Sequence, residues 1–404
     1  MNTNHTSRRN FLRLAGTAGL AIAGGPTLLA ACGGDSSSTT TTAIDPSIAP
    51  LSLGGMKIGY LPITDASPLL VAHANGTLAG AGFENPETTM FRSWADLVEA
   101  FQAGSVDAVH MLMPLAIQLR FGAKLPLKVV AWNHTNGSAL TAAERITSVE
   151  DLAGETVAIP FWWSIHNVVL QKVLRANGIE PILEGNPSKS DRTTKLVVLP
   201  PADMVPALAS NSIAAFIVAD PFNALAETTG AGKILRFTGD VWRDHACCVT
   251  VVSEDFVTGT PDAAQALVNS LASAQLAINS DRLAAAKQLS EGKYLPQPLP
   301  AIERALTHYV EDEYVPTGAI KNAEWKSDRI GFQPYAFPSY TTELIAALKE
   351  TRIDGDSAFL ADIDDVSAHE TLVAEGLAAS AIESNGGLSN FKLASFERIE
   401  TIIP

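Results

Sequence analysis

The stretch Ile159-Pro160-Phe161-Trp162-Trp163-Ser164-Ile165-His166-Asn167 has the pattern of a strand that runs into the start of a helix. Residues Thr156 to Pro160 alternate like a short buried strand, and Ser164 is a residue type that caps helix N-termini. From Ile165 to Asn177 apolar residues recur at helical spacing, and Gly178 supplies the stop. The sequence therefore predicts a strand, a turn and a helix whose first N–H groups face whatever lies beside the turn.

This turn is the first candidate for a ligand site. A helix N-terminus favours a negative ligand group because its first N–H groups have no partner within the helix. Trp162 and Trp163 add flat apolar surface, and His166 adds a titratable hydrogen-bonding group. We predict that Trp162, Trp163, Ser164 and His166 line a ligand site. The alternative is that the tryptophans are packing residues and that His166 is an interior histidine with satisfied hydrogen bonds.

Outward from this stretch, strands alternate with helices from Met56 onward, which predicts an α/β fold with mainly parallel sheets. Polar residues follow two of the predicted strands: Asp65 comes after the strand at 57–61, and Asp220 after the strand at 214–218. The carboxyl ends of parallel strands open onto ligand clefts. We therefore place Asp65 and Asp220 beside the same cleft as His166, where they could accept an amine; stabilising a turn is the alternative role for each.

One helix-strand element occurs twice. Trp94-Ala95-Asp96-Leu97-Val98-Glu99-Ala100 aligns with Pro201-Ala202-Asp203-Met204-Val205-Pro206-Ala207 at an offset of 107 residues, and a stop and a buried strand follow each copy. A repeat this long is not a solenoid period. We interpret it as the same element used once in each of two lobes, with chance similarity between two generic units as the alternative.

The N-terminus predicts export. Ser7-Arg8-Arg9-Asn10-Phe11-Leu12-Arg13 has the twin-arginine pattern, and an uncharged run follows to Ala31. Leu29-Ala30-Ala31-Cys32 is similar to a bacterial lipoprotein cleavage site. We predict a signal over residues 1–32 ending at a lipidated Cys32, and a flexible tether over residues 33–53, which are rich in Ser, Thr and Gly. The protein would then be anchored at the extracytoplasmic face of the bacterial cell membrane.

Composition and net charge limit the kinds of molecule that this protein is expected to bind. The formal net charge of the chain is −15, and it becomes −18 once residues 1–31, with three Arg and no acids, are removed. Such an acidic surface argues against nucleic acid. The chain is 47% hydrophobic and 18% charged, as in ordinary globular proteins, and no second apolar run is long enough to cross a bilayer.

Several segments together carry a family resemblance. They resemble the solute-binding proteins of nitrate, bicarbonate, sulfonate and taurine importers. The segments are Lys57-Ile58-Gly59-Tyr60-Leu61-Pro62-Ile63-Thr64-Asp65-Ala66-Ser67-Pro68-Leu69, Asp107-Ala108-Val109-His110-Met111, Asp151-Leu152-Ala153-Gly154, Pro160-Phe161, His166-Asn167, Val198-Leu199-Pro200-Pro201-Ala202-Asp203-Met204-Val205, Gly331-Phe332-Gln333-Pro334-Tyr335 and Pro338-Ser339-Tyr340.

The resemblance implies a two-lobed periplasmic-binding-protein fold of type II, with the ligand in a cleft between the lobes. We assign lobe 1 to residues 54–137 and 239–356, and lobe 2 to residues 138–238. Ala-rich helices at 261–289 and 300–311 would pack on lobe 1, and residues 357–404 would form an acidic, irregular tail on the surface. A monomer that delivers a small-molecule solute to a membrane permease of an ABC importer is the implied function.

Position by position, the resemblance implies that Trp94 and His166 line the pocket. The resemblance also places Ser138 and Cys248 among the ligand-binding residues, although both depart from the nitrate branch. Ser138 stands where a pocket glutamine is usual, Cys248 where a pocket lysine is usual, and Cys247 where an acidic residue associated with calcium is usual. Losing a cation removes a charge-assisted contact of roughly 1.5–3 kcal/mol. These departures weigh against nitrate or bicarbonate as the ligand.

The predicted ligand is a small organic solute, such as an organic sulfonate, another oxoanion or a nitrogen heterocycle. It would stack on a tryptophan and bond to His166. His245, Cys247 and Cys248 leave open a soft-metal binder of the same fold, although no Cys-x-x-Cys spacing supports it. An enzyme that resembles the thiamine-pyrimidine synthases is another alternative, as is a purely structural role for the two cysteines. We predict a protein that is not an enzyme, with no cofactor and no resident metal.

Overall fold

The strands are given by a computed structural model that describes residues 53–364 and 367–404. In chain order they are β1 (Gly55–Tyr60), β2 (Glu84–Met90), β3 (Ala108–Leu112), β4 (Leu127–Trp132), β5 (Thr135–Asn136), β6 (Ser138–Ala142), β7 (Thr156–Ile159), β8 (Glu180–Ile182), β9 (Thr193–Val198), β10 (Ala215–Ala219), β11 (Lys233–Phe237), β12 (Cys248–Ser253) and β13 (Ile330–Gly331).

These strands form two large sheets and one small one. The first large sheet has the order β2-β1-β3-β12-β4, the second has the order β11-β6-β10-β7-β9-β8, and β13 pairs with β5. Pairing is parallel between β1, β2 and β3 and between β7, β8, β9 and β10, whereas β12 and β6 run antiparallel to their neighbours. The chain passes from the first sheet to the second after β4 and returns before β12.

Helices cover the sheets. They are α1 (Ser67–Ala74), α2 (Thr77–Gly80), α3 (Trp94–Gln102), α4 (Met113–Ile117), α5 (Ile165–Ala176), α6 (Pro201–Ala209), α7 (Phe222–Thr229), α8 (Glu254–Gly259), α9 (Pro261–Ser280), α10 (Arg282–Glu291), α11 (Leu299–Thr307), α12 (Glu311–Tyr314), α13 (Pro338–Lys349), α14 (Ala368–Leu372) and α15 (Glu375–Ser384). Every residue of β3 and of β10 is buried. Continuous apolar strands of this kind are typical of sheets covered on both faces.

The predicted strand, turn and helix around Ser164 are confirmed. β7 covers residues 156–159, and the Ser164 hydroxyl accepts a hydrogen bond from the Asn167 backbone N–H at 3.1 Å at the start of α5. Gly178 follows the helix with φ +67°, a left-handed conformation that glycine adopts without strain. Capping and stop signals are local, which is why the sequence predicts these boundaries within a residue or two.

The repeated element is also present in both sheets. Helix α3 leads into β3 of the first sheet, and helix α6 leads into β10 of the second. Each copy keeps the predicted order of helix, stop and buried strand. The assignment of residues 54–137, 138–238 and 239–356 to two lobes remains a prediction.

Three predicted segments differ from the structure. The helix expected over 300–311 ends at Thr307, and the short helix α12 begins at Glu311. The helix expected over 261–289 is interrupted at Asp281, where φ is −150° and ψ is 88°, and the side chain of Asp281 caps α10 by accepting from the Ala284 backbone N–H. The segment after residue 357 is not irregular, since it contains α14 and α15. Apolar side chains at helical spacing, including buried Ala378 and Ile382, override its acidic composition.

The predicted export signal, the lipidated Cys32 and the tether up to residue 52 lie outside the described residues. Among the residues that the structure describes, no helix combines the length and the apolar character that a membrane span requires.

Replacing Gly232 with alanine is expected to lower the free energy of unfolding by about 1–3 kcal/mol, because an added methyl overpacks this site. A Cβ at Gly232 would lie 2.6 Å from the backbone oxygen of Ala142 and 2.6 Å from Cδ2 of Leu208. The oxygen belongs to β6, which is paired on both sides, with β11 and β10, and so cannot move freely. Urea unfolding measures the change, with Gly259→Ala as control, because a Cβ at Gly259 meets no atom within 4 Å. Equal stability of both variants would contradict the expectation.

Candidate functional site

Three chain segments of the first sheet meet at one edge. Asp65 lies in the turn Thr64–Ala66 after β1, His134 follows β4, and Cys247 and Cys248 begin the antiparallel strand β12. Cys248 is paired with Leu112 at the end of β3, and Val249 with Trp132 at the end of β4. The antiparallel course of β12 therefore brings its first residues to the edge where the parallel strands end.

Two further groups come from the second sheet. Ser138 begins β6, where it is paired with Ala219 at the end of β10, and His166 lies in the first turn of α5. The Ser138 hydroxyl and Nε2 of His166 are 2.9 Å apart. Nε2 of His166 also lies 3.8 Å from Sγ of Cys247, so the groups of the two sheets are in contact. The site thus lies where the carboxyl ends of parallel strands from both sheets converge, as the sequence predicts for a ligand cleft.

The centre of the site is a buried cluster of four side chains, Asp65, His134, Cys247 and Cys248, none of which is exposed to solvent. Oδ2 of Asp65 lies 2.9 Å from Nε2 of His134, and the two sulfur atoms are 3.6 Å apart. Both cysteines are free. One possible ligand atom from each of the four lies within 4.8 Å of the others.

Burial and mutual charge set the protonation of this cluster. Burial raises the pKa of Asp65 to about 7, although His134 acts to lower it. Burial alone would lower the pKa of His134, but the neighbouring Asp65 outweighs it and raises that pKa to about 10. Each group therefore acts on the pKa of the other across the 2.9 Å between Oδ2 of Asp65 and Nε2 of His134.

The pKa values of the two thiols are shifted in opposite directions. Burial opposes ionisation of Cys247, but a hydrogen bond from Cys248 and the charge of His166 lower the pKa of Cys247 well below its ordinary value. Burial and the adjacent Cys247 raise the pKa of Cys248 well above its ordinary value. The two neighbouring thiols accordingly differ in acidity, and Cys247 is the more acidic of the two.

Trp94 and His110 stand beside each other in the interior. Their ring centroids are 6.0 Å apart, and Trp94 is 2% exposed. Burial, followed by the charge of His134, lowers the pKa of His110 to about 3, so its ring is neutral. Neither ring nitrogen of His110, nor Nε1 of Trp94, finds a hydrogen-bond partner within the described part of the chain. These are polar atoms in an interior where such atoms are usually paired.

Asp220 is held by an arginine. Nε of Arg329 donates to Oδ2 of Asp220 at 2.6 Å, Nη2 donates to Oδ1 at 3.1 Å, and both side chains are 1% exposed. The backbone oxygen of Asp220 accepts from the N–H and the hydroxyl of Thr64 at 2.8 and 2.9 Å. The structure thus places Asp220 next to the turn that carries Asp65, but with its charge already balanced by Arg329 and not open to a ligand amine.

Trp162 and Trp163 line a surface groove together with Ala95 and Leu115. Trp163 packs against Phe359 at a centroid distance of 5.4 Å. Ser164 serves as the helix cap and donates its hydroxyl to the Phe161 carbonyl oxygen at 2.7 Å. The structure therefore brings Asp65, Ser138, His166 and Cys248 together, and places the two tryptophans on a groove that these four residues do not line.

Sequence reasoning did not select His134 or Arg329. The signal for His134 was available, since Asn133-His134-Thr135-Asn136 is a polar segment directly after the apolar strand β4, as Asp65 is after β1. Arg329 had no such signal. Its partner Asp220 lies 109 residues away in the chain, and nothing local to either residue indicates the pairing.

Residues 51–291 match the model of the NMT1-like family, and the chain belongs to that family. Together with the relatives below, this match confirms the predicted kinship with the solute-binding proteins of importers, and the structural similarity below confirms the predicted periplasmic-binding-protein fold.

Among curated proteins, the nitrate/nitrite binding protein NrtA of Nostoc is 28% identical over 304 residues, which are 67% of this chain and 66% of that protein. Among solved structures, the periplasmic nitrate-binding protein NrtA from Synechocystis is similar with a TM-score of 0.71 and 21% identity, over 86% of this chain and 93% of that one. A zinc-bound ligand-binding component of an ABC-type import system from Staphylococcus aureus has a TM-score of 0.64 and 22% identity, over 81% and 99% of the two chains.

Proposed function

We propose that this protein is a solute-binding lipoprotein that delivers a small solute to an ABC importer from the extracytoplasmic side of the membrane. Membership of the NMT1-like family and the similarity to NrtA proteins support the carrier role. The observation that carries the proposal is the buried polar site at the converging strand ends of both sheets. A monomeric carrier held by a lipid on Cys32 is part of the proposal.

We propose that Ser138 and His166 bind the solute. They are buried donors and acceptors at the point where the second sheet meets the first, and Nδ1 of His166 has no hydrogen-bond partner among the described residues. A small oxoanion, an organic sulfonate or a nitrogen heterocycle offers the oxygen or nitrogen acceptors that such groups bind.

A thermal-shift screen tests the carrier role. A ligand at about a hundred times its dissociation constant should stabilise the protein by roughly 2.7 kcal/mol. The screen covers nitrate, bicarbonate, taurine, alkanesulfonates and nitrogen heterocycles, and the bound compound is recovered and analysed after incubation. Recovery of the unchanged compound supports a carrier, whereas its conversion would support the enzyme alternative.

For the solute found in that screen, His166→Ala is expected to weaken binding about 10-fold or more if the solute is anionic, because hydrogen bonds to charged groups contribute about 1.5–3 kcal/mol. Trp162→Ala is the control, since Trp162 lines the separate surface groove and should leave the dissociation constant within about 2-fold. Isothermal titration measures both. Loss of affinity in Trp162→Ala with none in His166→Ala would show that the solute binds in the groove instead.

A further inference from the structure

The four-residue cluster has the composition of a metal site. Asp65, His134, Cys247 and Cys248 offer one carboxylate, one imidazole and two sulfur ligands. Two sulfurs with nitrogen and oxygen donors suit Zn²⁺ and other borderline-soft divalent cations, whereas Ca²⁺ and Mg²⁺ prefer oxygen ligands alone. Soft ligand atoms and full burial together distinguish this cluster from an ordinary patch of acidic groups.

Two distances within the cluster are close to those that a four-coordinate ion requires. With Zn–S bonds of about 2.3 Å, tetrahedral geometry places two sulfurs about 3.8 Å apart. The sulfurs of Cys247 and Cys248 are 3.6 Å apart. The same geometry needs about 3.3 Å between a nitrogen and an oxygen ligand, and the Asp65–His134 contact of 2.9 Å requires a shift of a few tenths of an ångström.

Unsatisfied polar atoms supply an independent observation. Asp65 is fully buried, yet neither of its carboxylate oxygens makes a hydrogen bond of normal geometry within the part of the chain that the structure describes. Nε2 of His134 accepts a hydrogen bond from the Cys248 backbone N–H at 3.2 Å, so its lone pair faces the cysteine segment, while Nδ1 of His134 has no partner among the described residues. The carboxylate, the imidazole and the two sulfurs are electron-pair donors that face a common centre. A cation bound at that centre would offset the free-energy cost of burying these polar groups.

The four possible metal-ligating side chains are held in place by the first sheet. All four lie at one edge of the first sheet, where pairing of β12 with β3 and β4 determines the positions of the cysteines. Gln275 donates to the carbonyl oxygens of Trp132 and Asn133 at 2.9 and 2.8 Å and so holds the segment before His134. Buried support of this kind preorganises a metal site.

We propose that Asp65, His134, Cys247 and Cys248 bind one divalent cation of the zinc class. His166 lies between the proposed ion site and the proposed solute site, because its Nε2 is 3.8 Å from Sγ of Cys247. The proposal goes beyond the carrier function and does not depend on it, because ion binding is measured on the protein alone.

The test uses the full chain, purified with a reductant, stripped with a chelator and titrated with Zn²⁺ against a chromophoric zinc indicator. One equivalent of Zn²⁺ should bind, and Co²⁺ in its place should show a thiolate-to-cobalt charge-transfer band. Cys247→Ser, Cys248→Ser and His134→Gln should each lower the affinity for Zn²⁺ by more than about 100-fold, since even the loss of an outer partner costs 10–100-fold. The charge-transfer band should weaken in both cysteine variants.

His73→Gln is the control, because both ring nitrogens of His73 are bonded elsewhere, to Tyr294 and to the Pro86 carbonyl oxygen. Thermal melting without metal checks that each variant is folded, and stabilisation by Zn²⁺ in the melt gives a second readout. Failure of Zn²⁺ and Co²⁺ to bind the folded protein, or unchanged affinity in both cysteine variants, would overturn the proposal. If a screened organic solute still binds in that case, the proposed carrier function stands; if none binds either, both proposals fail.

Discussion

Replacing Arg329 with methionine is expected to lower the free energy of unfolding by about 3–5 kcal/mol, because it leaves a buried carboxylate without its partner. The guanidinium of Arg329 makes two hydrogen bonds to Asp220, and its Nη1 and Nη2 each lie 3.3 Å from Oε2 of Glu227. Methionine keeps much of the volume but supplies no charge and no donor. Urea unfolding followed by circular dichroism measures the loss.

The matched control is Arg145→Met. Arg145 also makes a two-point contact with a carboxylate, Glu155, at 2.6 and 3.0 Å, but its side chain is 46% exposed. Surface pairs of this kind contribute about 0–1 kcal/mol to the free energy of unfolding.

The double variant Asp220→Asn with Arg329→Met should recover part of the stability that Arg329→Met loses, since it removes the unpaired charge of Asp220. Equal losses at Arg329 and Arg145 would contradict the interpretation that burial makes the first pair decisive.

The Arg329 pair also has a consequence for the site. The backbone oxygen of Asp220 holds the N–H of Thr64, the residue before Asp65. If Asp220 shifts when its partner is lost, the turn at residues 64–66 loses this anchor. We therefore expect Arg329→Met to weaken ligand binding as well as stability, whereas Arg145→Met should change neither measurably.

The second large effect is expected for Gln275→Leu, which should lower the free energy of unfolding by about 2–4 kcal/mol. The Nε2 group of Gln275 donates to two buried carbonyl oxygens, those of Trp132 and Asn133, and leucine supplies no donor for either. Each buried polar group that loses its partner costs about 1–3 kcal/mol, and the apolar leucine offsets a part. Because these carbonyls directly precede His134, the variant should also bind Zn²⁺ less tightly.

Gln265→Leu serves as the control on the same helix, α9. Its amide also makes two hydrogen bonds, to Asn269 and to the Leu377 carbonyl oxygen, but Gln265 is half-buried and water can replace the lost donor. We expect a loss of less than about 1 kcal/mol. A Gln275→Leu variant as stable as Gln265→Leu would show that the segment before His134 is held by its strand pairing alone.

Local chemistry explains which parts of the fold could be predicted from the sequence. The boundaries of β7 and α5 follow from a capping serine and a left-handed glycine, both read within a few residues. The repeated helix-strand element follows from apolar spacing, and the break at Asp281 was missed because the alanine-rich composition on either side favours helix equally.

The candidate site was predicted in part for the same reason. Asp65, Ser138, His166 and Cys248 stand at the starts or ends of strands and helices, positions that the residue pattern marks, and the structure brings them together. Trp162 and Trp163 also stand at such a position, yet their side chains line a surface groove. The pattern locates the turn, but not the direction in which each side chain of the turn points.

The class of fold, the order of its elements and the loops that carry polar groups can therefore be predicted from the residue pattern, because capping, periodicity and turn chemistry act over a few residues. Tertiary structure alone decided which of those groups became partners. The antiparallel course of β12 sets Cys247 and Cys248 beside His134, and the approach of Arg329 balances the charge of Asp220. Both depend on contacts across more than a hundred residues of chain, which no local pattern encodes.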